Sequence, residues 1–85
     1  MSLDVRWLPR AERDLARLAA GTQRRVVAAV RDFAEAERGD VVRLTDVRPP
    51  EYRLRVGDVR VRFRFEKATR TILVLRVLPR DKAYR

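Results

Sequence analysis

Tyr52-Arg53-Leu54-Arg55-Val56-Gly57-Asp58-Val59-Arg60-Val61-Arg62-Phe63-Arg64-Phe65 is the stretch that decides the fold. On both sides of Gly57-Asp58, apolar and basic side chains alternate, the period of strands with one buried face. Glycine at the first central position permits a two-residue type II′ turn, so the stretch reads as a β-hairpin. That turn sets the register as Val56 with Val59, Arg55 with Arg60, Leu54 with Val61, and Arg53 with Arg62. Tyr52, Leu54, Val56, Val59, Val61, Phe63 and Phe65 then share the inner face, and Arg53, Arg55, Arg60, Arg62 and Arg64 share the other.

Thr71 to Leu78 follows the hairpin as an apolar run with Arg76 inside it, one further strand after the loop Lys67 to Arg70. Upstream, Val42 and Leu44 point to a short strand before the turn-forming stretch Asp46 to Pro50. Leu3 to Trp7 alternates as a strand does. Pro9 suits the first turn of a helix to Ala20, with Ala11, Leu15 and Leu18 on one side and Gly21 as its end. Thr22 reads as the N-cap of a second helix to about Arg38, striped by Val26, Val27, Val30, Phe33 and Ala34 and stopped by Gly39. The expected fold is α+β, in which an N-terminal strand and a helical hairpin pack on a mostly antiparallel, twisted four- to five-stranded sheet.

Eighty-five residues imply a single domain, 1–85, with room for one core. The chain has no cysteine and no histidine, which excludes disulfides, thiolate or imidazole metal sites and imidazole acid–base chemistry. No metal or cofactor is expected. The longest apolar run falls far short of the roughly 20 residues of a membrane span, and the N-terminus lacks a signal-peptide pattern. The cytoplasm is the expected location, with no membrane partner.

The net charge of +9 is uneven. Residues 1–48 carry ten Arg against eight acids, whereas residues 49–85 carry nine Arg and two Lys against four acids. Such an excess repels itself unless a polyanion or an acidic protein relieves it. Arg paired with Arg across neighbouring strands is destabilising, and the hairpin does this in two successive pairs on one face. An anion-binding surface therefore explains the pattern better than a solvated one. The face carries no aromatic platform, which argues against single-strand binders that work by base stacking. Guanidinium groups grip phosphate oxygens bidentately and stay charged, so a cluster of them stabilises a pentacoordinate phosphoryl transition state.

The hairpin pattern Tyr52 to Phe65, with the tail Pro79-Arg80-Asp81-Lys82-Ala83-Tyr84, resembles the RelE branch of the RelE/ParE toxins. Val5-Arg-Trp-Leu-Pro9 and Arg13-Asp-Leu-Ala-Arg-Leu18 are similar to that family's first strand and helix, so the resemblance spans nearly the whole chain. It implies a toxin of a type II toxin–antitoxin system that cuts messenger RNA in the ribosomal A site and is held in check by a cognate antitoxin. In such enzymes the ribose 2′-hydroxyl attacks the adjacent phosphate. The resemblance gives Arg53, Arg55, Arg60, Arg80 and Tyr84 catalytic roles, and Arg62, Arg64, Arg76, Lys82 and Arg85 are expected to add RNA contacts. Pro79 stands where many members have His, and Arg53 and Arg55 stand where many have Lys. Archaeal-type members are similar to this chain in both respects. Arginine cannot act as the general base at neutral pH, which leaves Tyr84, Glu51, Lys82 or a ribosomal group, with Glu51 read as a turn residue. The alternatives are a ParE-type toxin acting on DNA gyrase and a non-catalytic basic module that binds an antitoxin or nucleic acid.

Overall fold

The computed structural model describes residues 2–82. Its elements are β1 (Asp4–Trp7), α1 (Pro9–Ala16), α2 (Ala20–Ala36), β2 (Asp40–Arg43), β3 (Tyr52–Val56), β4 (Val59–Glu66) and β5 (Thr71–Pro79), followed by a 3₁₀ turn at Arg80–Lys82. The strands form one sheet in the order β1-β5-β4-β3-β2, antiparallel except where β1 runs parallel to β5. The α+β architecture and the hairpin register, Val56 opposite Val59 through Tyr52 opposite Phe63, are as the alternation predicts. Gly57 has φ 57° while Asp58 keeps a negative φ, the pattern of a II′ turn.

The helices cover the inner face. Ala11, Val26, Val30, Phe33 and Ala34 pack against Leu54, Val61, Phe63, Ile72, Val74 and Val77, all buried. Phe33 and Phe63 anchor the two layers with ring centroids 5.4 Å apart.

The helix boundaries differ from the sequence reading. The first helix ends at Ala16, four residues before the expected end, and Gly21 and Thr22 lie inside the second, whose N-cap is Ala19 in an extended conformation. No side chain caps the first N–H groups; Gln23 instead donates from its Nε2 to the Leu18 carbonyl at 2.8 Å, which secures the link between the helices. At the other end Glu37, not Gly39, takes the left-handed cap at φ 54° and donates its N–H to the Phe33 carbonyl. Gly39 is needed for another reason: at φ 147°, a Cβ there would lie 2.8 Å from the Leu54 Cδ1.

One departure from simple alternation shapes the site. Arg62 is opposite Arg76 but Phe63 is opposite Val74, so Leu75 is an extra residue on β5, a β-bulge. Strict alternation from Ile72 and Val74 would aim Arg76 into the core. The bulge resets the phase, burying Val77 and placing Arg76 on the open face beside Arg62. Because β1 ends at Trp7 opposite Val74, α1 runs along the next part of β5, and the Asp14 carboxylate accepts the Val77 N–H at 3.0 Å. No helix among the described residues is long and apolar enough to cross a membrane.

Candidate functional site

The face turned away from the helices carries the arginines. Read across the strands, one row is Asp40, Arg55, Arg60 and Leu78, the next is Val42, Arg53, Arg62 and Arg76, and a third is Arg64, Leu73 and Arg6. All five hairpin arginines therefore share one face, as the register predicts, and the bulge adds Arg76.

Their environments differ. Arg62 and Arg64 both pair with Glu51, through Oε1 at 2.7 Å and Oε2 at 3.6 Å respectively. Arg53 reaches Asp40 at 3.8 Å. Arg76 donates from Nε and Nη2 to the two oxygens of Asp14 at 2.7 and 3.2 Å. Burial alone would push the Asp14 carboxyl up, but the hydrogen bonds from Arg76 and the Val77 N–H and the charges of Arg76 and Arg17 outweigh it and hold it below the ordinary aspartate range. The Arg76 guanidinium is raised in turn, chiefly by its hydrogen bond to Asp14.

Arg60 has no such partner. It is 6% exposed, and its Nη1 donates to the Gly57 and Val59 carbonyls at 2.7 and 3.1 Å. No carboxylate of the described residues lies within ion-pair distance, and its Nε is buried with no hydrogen-bond partner. A buried cation satisfied only by carbonyl dipoles keeps its full charge and its desolvation cost, which a bound anion would offset. Arg55 is its partner across the β3–β4 ladder and is exposed. Arg80 follows Pro79, the partner of Val59, and its backbone N–H donates to the Asp58 carbonyl at 2.8 Å. Three of the expected catalytic residues are thus gathered at the turn end of the hairpin.

The profile of the ParE toxin of type II toxin–antitoxin systems, parDE, matches residues 5–84. This chain belongs to that family. Among solved structures, the toxin is similar to the archaeal RelE–RelB complex from Pyrococcus horikoshii at 25% identity and TM-score 0.78, covering 98% of this chain and 100% of that one. It is also similar to the toxin–antitoxin complex RelBE2 from Mycobacterium tuberculosis, at 28% identity and TM-score 0.63, over 94% and 100% of the two chains. The RelB–RelE complex from Methanococcus jannaschii, at 20% identity and TM-score 0.74 over 92% and 93%, shares the fold. No curated protein matches the toxin.

Among the residues singled out from the sequence, Arg53, Arg62 and Arg76 share the row next to the Arg55–Arg60 pair, while Arg64 lies one row further from the turn. Tyr84 and Arg85 lie outside the described residues, as does the Lys82 side chain. Glu51 is not the turn residue the sequence reading made it. It is 8% exposed, directly before β3, and its backbone carbonyl accepts the Leu44 N–H at 2.9 Å. The sequence reading also missed Asp14 and the open-face position of Arg6. For Glu51 a signal existed: stepping back from inward Tyr52 by one residue puts it on the arginine side.

Proposed function

We propose that this toxin is a ribosome-dependent endoribonuclease that cuts messenger RNA in the A site and is restrained by a cognate antitoxin. The observation that carries the reading is Arg60, a buried cation without a carboxylate, held by the hairpin turn and flanked in register by Arg55 and at the strand end by Arg80. Such a group is arranged to meet an anion. The similarity to RelE proteins over nearly the whole chain supports phosphate chemistry at this place.

In the reaction, the 2′-oxygen bonds to phosphorus and the bond from phosphorus to the 5′-oxygen breaks. A cyclic 2′,3′-phosphate and a 5′-hydroxyl result, the 2′-hydroxyl giving up a proton and the leaving oxygen gaining one. Arg60, Arg55, Arg53 and Arg80 supply positive charge to the phosphoryl oxygens, whose charge grows in the transition state. They cannot take the proton. Glu51 is poorly suited to do so, since two guanidinium groups engage its carboxylate. That leaves Tyr84, Lys82 or a ribosomal group as the base.

The ParE reading, action on DNA gyrase, is favoured by the name of the matching family and by the inward bonds of Arg60. Incubating the purified toxin with programmed translating ribosomes, and separately with gyrase and relaxed plasmid, divides the two. Cleaved message with gyrase supercoiling unaffected is the expected result; intact message with blocked supercoiling would replace this reading with the ParE one.

A further inference from the structure

Glu51 is an expensive residue where it stands. A carboxylate 8% exposed among the arginines of the open face must be paired, and an apolar or neutral side chain at the start of β3 would avoid its desolvation. Arg62 and Arg64, two residues apart on β4, point the same way and repel each other. Glu51 accepts a hydrogen bond from the Arg62 Nη2 on Oε1 and holds the Arg64 Nη2 at ion-pair distance from Oε2. Two cations and one anion leave the trio net positive. Arg62 retains donors beyond the one it gives to Glu51, Arg64 stands at ion-pair distance without donating to it, and the Nε of each is buried without a hydrogen-bond partner. Beside the trio is a cleft of about 670 Å³, bounded also by Leu8, Pro9, Arg10, Leu75 and Arg76. It is therefore walled by four cations, of which Arg62 and Arg64 pair with Glu51 and Arg76 pairs with Asp14.

We propose that Glu51 is a positioning residue: it orients Arg62 and Arg64 along this cleft so that they hold the sugar–phosphate backbone of the RNA beside the nucleotide being cut. The inference rests on the endoribonuclease reading above. Glu51 itself touches no substrate. Its effect passes through the arginines, because a planar fork grips phosphate only when its plane is set.

Glu51→Gln separates positioning from charge balance: removing the charge leaves the arginines more positive, while its NH₂ group replaces one of the two acceptor oxygens and so loosens their placement. Positioning predicts a folded protein whose affinity for a short single-stranded RNA is unchanged or tighter. Its single-turnover cleavage on programmed ribosomes should nevertheless slow by about tenfold or more, as misplaced contacts do. In an Arg62→Ala, Arg64→Ala background the same change should cost less than about twofold, because the groups it acts through are gone. Cleavage at the wild-type rate, or an equal loss in both backgrounds, overturns the proposal. If Glu51→Gln does not fold, Glu51→Asp replaces it, with partial cleavage expected and full cleavage overturning the idea. If the wild-type toxin cuts no message, the endoribonuclease reading fails, and side-chain NMR with the same RNA decides positioning separately. Arg62 and Arg64 Nε–H signals that shift on RNA addition and broaden in Glu51→Gln support it; signals sharp and alike in both proteins overturn it.

Discussion

Arg60→Ala should abolish cleavage while the chain still folds, but not without cost. Crowding of like charge alone predicts a neutral or stabilising change, whereas the bonds to the Gly57 and Val59 carbonyls predict a loss of about 1 kcal/mol. Urea unfolding alongside a cleavage assay checks both halves. Asp14→Asn removes the anion that holds Arg76 and weakens the acceptor for the Val77 N–H, at a cost of about 2 kcal/mol near neutral pH. Since the folded Asp14 carboxyl titrates below its unfolded value, this stability is present above about pH 4 and disappears as pH falls through the lowered value. Melting curves of the two proteins should therefore converge on acidification below the ordinary aspartate range; a gap that widened as the pH fell would contradict the linkage. The arginine face was legible residue by residue, because a two-residue turn fixes both partner and side. Asp14 and Glu51 were not, because their partners lie 62 residues away and 11 residues away on other elements.

At the scale of elements, the two glycines with positive φ ask different things of the chain. Gly57 has open space around it, so Gly57→Ala should cost only the left-handed backbone, about 1 kcal/mol. Gly39→Ala adds a clash with the buried Leu54 side chain and should cost more, about 2–3 kcal/mol. Chemical denaturation ranks them, and equal losses would contradict the close approach at Gly39. The strands were legible because alternation and turn chemistry agree in one short segment. Helix ends were less so: Ala19 breaks the chain by adopting an extended backbone that no capping side chain announces, and Gly21 lies inside a helix that packing sustains. The Leu75 bulge was hidden too. In sequence Arg76 interrupts an apolar strand, and only the pairing of β4 with β5 shows that one extra residue turns it outward.

For the whole molecule, the helices close one face of the sheet and leave the other to charge, so the basic excess of the second half of the chain becomes a single surface. Deleting residues 80–85 should cost little stability, on the order of 1 kcal/mol for the bond from the Arg80 N–H to the Asp58 carbonyl, and far more activity, roughly 10²-fold for a positioned contact. Full cleavage by the truncated chain would remove Arg80 and Tyr84 from the reaction. Fold and family were legible at this scale, since the hairpin and tail carry both. Target choice was not, because the matching family model is that of a ParE toxin while the similar solved structures are RelE proteins, on one scaffold. The most direct measurement is primer extension on a message translated in the presence of the toxin, repeated with Arg60→Ala. The account predicts cuts in phase with the reading frame, within the codon in the A site, ending in cyclic phosphate and lost in the variant. Uncut message, or cuts that ignore the frame and survive in Arg60→Ala, would contradict it.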